Sequence, residues 1–230
     1  MFARLKTKNI PHRPELLFDY QLLTLGKRSC PLGIIQAFKE ARKKVLAHAG
    51  SITMAEDRIP FLPVITQCYL GYHGLTGLLR HNNQDGVVEC EVERIKDLEE
   101  TPRGLYYIFD VEGGENLKGY APEIAHTLIV QNKRLSAVTA EILSLALHTG
   151  ALTANSLYAV GSRYASDRTP MIWLNVVMSE ADRSWMSLAN PAEESASLYK
   201  SELGKPALGW WYADSPMLGG APSCASRLEI

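Results

Sequence analysis

Cysteine is scarce and scattered in this chain: Cys30, Cys68, Cys90 and Cys224 are the only 4 among 230 residues, and no two stand as C-x-x-C. Such spacing excludes a zinc finger or ribbon and a dense disulfide framework, and it fits a reducing, cytoplasmic setting. Long apolar runs are missing as well. None approaches the roughly 20 residues a helix needs to span a bilayer, and the start of the chain lacks the apolar stretch of a secretory signal, so no membrane partner is expected. A phosphate-binding glycine loop is absent too. Gly113-Gly114 has no downstream glycine and lysine, and Gly219-Gly220 opens no helical pattern, which argues against nucleotide hydrolysis. The sequence also lacks internal repeats and any regular strand-helix-strand alternation, so segregated runs of strands and helices point to an α+β fold.

What is present suits a globular protein with one large core, since 46% of residues are hydrophobic and 21% charged. Net charge is only −1 but unevenly spread: residues 1–48 carry a surplus of +7 and the remainder −8. A basic arm of this kind either meets nucleic acid or packs on an acidic body, its own or a neighbour's. Packing is the favoured reading.

Periodicity divides the chain into a helical arm over residues 1–50 and an α+β body over residues 51–230, with a mainly antiparallel or mixed sheet and flanking helices. In the arm, Leu16, Tyr20 and Leu23 predict the buried stripe of a helix over Pro14–Leu25. Ile34, Phe38, Ala41 and Val45 do the same for a second helix over Pro31–His48. Ser51 to Arg58 reads as a linker. The body begins with a proline-bounded edge strand, Ile59–Ile65. Val88, Cys90 and Val92 alternate with glutamates and predict a strand that buries Cys90, while Cys68 follows an apolar run and is expected inside. Leu105–Val111 should be a central strand closed by the Gly113-Gly114 turn. Helices follow over Pro122–Gln131 and Thr139–His148, the second capped by Thr139 and ended by Gly150. Leu157–Val160, Met171–Val177 and Ala207–Tyr212 complete the strands, with a weak helix over Pro191–Leu203 between the last two.

Several positions could carry chemistry. Cys68 and His73 offer a thiol beside an imidazole, the pairing a cysteine nucleophile needs, but real pairs are usually assembled from distant segments. A structural role for Cys68 is therefore favoured. His73 and His81 lack a third ligand, so no metal is expected, and no other cofactor is indicated. Asp110, at the end of a buried strand, suits a catalytic acid or metal ligand. It equally suits a residue that accepts hydrogen bonds from the following turn, the favoured reading. Ser162, Arg163 and Arg168 place two guanidinium forks and a hydroxyl near a strand end, a set suited to a carboxylate or phosphate, or to an internal ion pair. Trp173 and Trp210 add indoles nearby. Because Trp210 and Trp211 face opposite ways in a strand, one of them belongs to the core.

At these residues the chain resembles a bacterial family of unknown function, similar in Tyr-x-x-x-Asp-Val-x-x-Gly, in Gly-Ser-Arg followed by Arg-x-Pro-x-x-Trp, and in a closing Leu-Gly-Trp run with small residues and an arginine. The matching positions here are Tyr106, Asp110, Val111 and Gly114; Gly161, Ser162, Arg163, Arg168, Pro170 and Trp173; and Leu208, Gly209, Trp210, Leu218, Gly219 and Arg227. The resemblance covers roughly Pro60 to Arg227. It implies no activity, only that these residues belong to one compact unit. The expectation is a non-enzymatic domain that binds a small anionic ligand or a protein partner through Ser162, Arg163, Arg168, Trp173 and Trp210. The alternatives are a hydrolase using Cys68 or Asp110, and nucleic-acid binding through the arm.

Overall fold

Proline and glycine divide the chain into elements that, in the computed structural model, follow the expected order for most of its length. The structure describes residues 10–55, 57–81, 83–153, 156–166, 168–174, 205–217 and 219–230. Three helices come first, α1 (Pro14–Lys27), α2 (Leu32–Glu40) and α3 (Arg42–Ser51), then β1 (Ile59–Val64) and α4 (Gln67–Gly77). Short strands β2 (Arg80–His81), β3 (Gln84–Asp85), β4 (Val87–Val88) and β5 (Ile95–Asp97) lead to β6 (Tyr106–Val111). Next come α5 (Pro122–Gln131), β7 (Leu135–Ser136) and α6 (Thr139–Thr149). The last described strands are β8 (Leu157–Tyr158), β9 (Ser162–Tyr164), β10 (Arg168–Leu174), β11 (Pro206–Tyr212), β12 (Ser223–Cys224) and β13 (Ser226–Glu229). The fold is α+β. Among the described residues no helix is long and apolar enough to cross a membrane.

Two sheets organise the molecule. In the first, β6 lies between β1 and β13, antiparallel to both, with Phe61 opposite Phe109. The second runs β4-β11-β10-β9-β5, with β8 also pairing β10, and is antiparallel except where β4 meets β11. The proline-rich β1 sits at an edge, where its missing donors do no harm.

The helices of the arm pack directly on the first sheet. Phe18 contacts Phe61 and Tyr107, Phe38 meets Tyr107 edge-on, and His48 meets Phe109 edge-on. Gln21 donates to the Phe61 carbonyl at 2.7 Å and Lys44 to the Glu229 carbonyl at 2.6 Å. α1 buries a different stripe from the expected one. Leu17, Phe18, Gln21 and Leu25 face the sheet, while Leu16 and Leu23 are 51% and 56% exposed. The helix carries two apolar stripes, and the one holding the aromatic ring, with more area to bury, takes the core side. The expected second helix breaks at Ala41 into α2 and α3, yet its stripe of Ile34, Phe38 and Val45 stays buried.

Two expectations in the body fail. The Val88-Cys90-Val92 strand ends at Val88: after the Glu89 amide bonds to Leu208, the chain turns into a 3₁₀ segment over Val92–Arg94, leaving Cys90 half-buried. Cys68 is exposed on the first turn of α4, a helix rich in glycine and broken at Gly71 (φ 60°, ψ 167°). The predicted helix over 191–203 lies outside the described residues. By contrast α6 exceeds expectation, being buried on all sides over Thr139–Ala146. A helix surrounded in this way is a core element, so its polar residues need internal partners.

Candidate functional site

Asp110 is the penultimate residue of β6, with φ 51°, a left-handed backbone that aspartate tolerates better than most residues. Its Oδ2 accepts from Arg58 Nη1 at 2.6 Å and from Arg134 Nη1 at 2.7 Å, and it does not receive the turn amides expected of it. Arg134 also donates to the Asp110 carbonyl, to Ser223 Oγ at 2.8 Å and to the Ser223 carbonyl at 3.3 Å. Asp110 is thus the hub of an ion-pair cluster that ties the α5–β7 turn, β6 and β12 together. Nearby, Gly114 (φ 82°) admits the Ala221 backbone where a Cβ would collide with it.

The Gly-Ser-Arg segment performs a second structural task. Val138, at the N-cap of α6, has no side-chain acceptor to offer. Ser162 supplies one from β9, accepting from the Thr139 amide at 3.0 Å and donating to Asp97 Oδ1 at 2.6 Å. Thr139 is therefore the first helical residue, not the cap. Gly161 lets β9 approach, because a Cβ there would stand 2.6 Å from the Ser136 carbonyl oxygen. Asp97 keeps one side open to solvent. Packing round its carboxyl, with the Glu141 charge added, still raises its pKa against the pull of the Ser162 hydrogen bond.

Beneath Ser162 lies a buried salt bridge. Glu141 accepts from Arg227 Nε at 2.6 Å and Nη2 at 3.0 Å, from the Tyr106 hydroxyl at 3.1 Å and from the Val138 amide at 3.0 Å. The Arg227 side chain is only 6% exposed and also donates to the Ser136 and Glu100 carbonyls. Burial alone would lower the Arg227 pKa; hydrogen bonding to Glu141 raises it instead. The same surroundings push the Tyr106 hydroxyl well up, burial first and the Glu141 charge second.

The five expected ligand residues divide between the two faces of the second sheet. On one face Arg168 lies over the Trp210 ring at 3.8 Å from its centroid and within 5.6 Å of that of Tyr212. Trp210 in turn stacks on Tyr164 (6.0 Å, 7° between planes), and Arg94 covers Tyr164 at 5.1 Å. On the other face Trp173 is half-buried beside Met171, Trp211 and Tyr158. The Arg163 side chain is 15% exposed, with Nη1 on the Ser162 carbonyl at 3.3 Å and Nη2 3.8 Å from Glu123. Burial lowers the Arg163 pKa against that carboxylate's pull. Both indoles of the pair are buried on opposite faces, Trp210 (9% exposed) with Tyr164 in the larger hydrophobic cluster and Trp211 (1%) in the smaller one.

The hydrolase residues stay apart. Cys68 and His73 are both exposed, on opposite sides of the Gly71 break, and no hydrogen bond joins them. Among the described residues no group of three or more His, Cys, Asp or Glu could hold a metal. Sequence reasoning overlooked Glu141, Arg134, Arg58 and His148. Glu141 stands at N3 and accepts from the Val138 amide, one half of a capping box, but with valine at the N-cap the Ser/Thr-x-x-Glu signature is missing from the sequence.

Fold and site together define an α+β domain with, among the described residues, two largely buried arginine-carboxylate centres and a guanidinium-aromatic stack around Trp210. Residues 25–184 match the family described as "Family of unknown function (DUF5701)", and the chain belongs to that family. No curated protein and no solved structure matches it. The matched stretch takes in α2 and α3 and stops short of Trp210 and Arg227, so it begins and ends earlier than the resemblance in the motifs.

Proposed function

We propose that the chain is a binding domain, not a catalyst, and that it recognises an acidic segment of a partner protein through the stack around Trp210. The observation that carries this reading is that each ring of the Tyr164-Trp210 pair bears a guanidinium, Arg94 on one and Arg168 on the other. Stacking fixes a guanidinium in one plane and directs its N–H edge toward a carboxylate, so less freedom is lost on binding. Trp, Tyr and Arg are also the residues that dominate the energetics of protein interfaces. Arg163 is left out of the binding set. It bridges Ser162 and Glu123 on the opposite face and acts in the fold. The basic arm adds little to a nucleic-acid reading, since Arg42 pairs with Asp19 and Lys44 with the Glu229 carbonyl.

Fluorescence anisotropy against a panel of acidic peptides, with basic peptides of equal length as controls, tests the proposal. Acidic peptides should bind. Arg168→Glu should weaken them at least tenfold, since a hydrogen bond to a charged group contributes about 1.5–3 kcal/mol. Binding that is absent, or equally strong in the variant, would overturn the reading.

A further inference from the structure

We propose that the cleft between the C-terminal ends of α1 and α6 and the β2–β3 hairpin is a binding site for a small oxyanion, a phosphate or a carboxylate. The cleft measures about 480 Å³, and Lys27, Arg28, Arg80, His81 and His148 line it, while among the described residues no aspartate or glutamate does. Arg28 and Arg80 are held close together, the Arg28 Nη2 donating to the Arg80 carbonyl at 3.3 Å. The Arg80 Nε is fixed by Asp85 Oδ1 at 2.6 Å, which orients the guanidinium and leaves its terminal nitrogens without a hydrogen-bond partner among the described residues. A planar fork held by its inner nitrogen is preorganised for an oxyanion.

Basic residues at a helix C-terminus also complement the exposed carbonyls there, which accounts in part for Lys27 and Arg28 at the end of α1. It does not account for His148. This residue sits in the last turn of α6, 2% exposed, and neither ring nitrogen has a hydrogen-bond partner among the described residues. A buried polar side chain without partners is rare and costly, and here it stands in the wall of the cleft where the cations gather. Burial keeps the ring neutral, its pKa pushed down to about 3, so it adds nothing to the charge massed at the rim, and both its nitrogens are closed off from solvent within the wall. The arrangement is a cationic rim over a wall that holds an uncharged imidazole, suited to an anion small enough to enter.

Calorimetric titration of the full chain with inorganic phosphate, and separately with citrate, at constant ionic strength set by chloride, tests the site and distinguishes the two ligand chemistries. Saturable binding of one of them is expected. Arg28→Gln with Arg80→Gln should weaken it on the order of a hundredfold while the unliganded protein melts as before, because Arg80 is exposed, Arg28 is only partly buried and neither belongs to the core. Should that pair disturb the fold, Lys27→Gln with His81→Gln replaces it, with a loss of at least about tenfold expected. Absence of saturable binding to either anion, or an affinity unchanged in the folded variants, overturns the proposal.

Discussion

Glu141 takes four hydrogen bonds inside the protein, two of them from Arg227, and both side chains are almost wholly enclosed. Burying an ion pair gains little over an apolar pair, but removing one partner strands the other charge. Arg227→Met should therefore lower unfolding free energy by about 3–5 kcal/mol in urea denaturation, and Glu141→Leu added to it should recover part of that loss. A cost under about 1 kcal/mol would mean that the pair is solvated. Cysteine reactivity should also divide by position. Burial pushes the Cys30 thiol up to about 11, and burial with three neighbouring glutamates pushes Cys90 up to about 12; Cys224 rises as well, chiefly through burial. A thiol reagent near neutral pH should modify the exposed Cys68 first and leave the other three largely untouched until the protein unfolds. His148 gives a pH signature. Its folded pKa lies below the usual histidine value, so the unfolded chain binds the extra proton as pH falls. The stability linked to His148 is complete above about pH 6.5 and declines as pH drops toward 3, by up to about 1.4 kcal/mol per pH unit. His148→Phe should flatten that acid limb in denaturation curves recorded across the range; an unchanged slope would assign it to other groups.

Elements whose periodicity was strong could be read from the sequence. β1, β6, α5, α6 and β11 lie where apolar runs and helical spacing put them, and β10 overlaps its expected range, because each carries enough apolar surface to be buried against its partners. Where the signal had two solutions, packing decided. α1 offers two apolar stripes, and only the position of Phe61 and Tyr107 selects the one with Phe18. The alternation at Val88-Cys90-Val92 had the right period, but the chain leaves β11 after Glu89 and turns into the 3₁₀ segment although β11 itself runs on to Tyr212. α4 was hidden by Gly71, Gly74 and Gly77, residues of low helix propensity. The candidate site was legible residue by residue and not as an assembly. Arg168 and Trp210 share a face because Arg168 is paired with Tyr212, two residues beyond Trp210, whereas Arg163 and Trp173 fall on the other face. That division depends on register, which no local pattern reveals. Gly114 provides a test at this scale. Its left-handed backbone and its contact with Ala221 leave no room for a side chain, so Gly114→Ala should destabilise the protein by more than about 1 kcal/mol in thermal melts, and an unchanged melting temperature would show that the turn relaxes.

In the whole molecule, the helices of the basic arm are joined to the body by ring packing and hydrogen bonds. Phe18 and Phe38 complete the aromatic core around Tyr107 and Lys44 donates to the Glu229 carbonyl, while Arg42 pairs with Asp19 inside the arm. The family match begins at residue 25, inside α1, and so includes α2 and α3 in the same unit. A chain beginning at Ile52 should lose cooperative unfolding, because Phe61, Tyr107 and Phe109 would face water; a sharp two-state transition in the truncated protein would restore the separable arm. On the proposed function, Arg168 serves recognition while Arg163 serves the fold. The measurement that tests it most directly is a comparison of Arg163→Glu and Arg168→Glu by thermal melting and by acidic-peptide anisotropy in the same buffer. Arg163→Glu, which sets a second carboxylate beside Glu123, should melt several degrees lower, whereas Arg168→Glu should stay near the parent and lose peptide binding. The reverse pattern, an unfolded Arg168→Glu beside a stable Arg163→Glu that no longer binds, would contradict it.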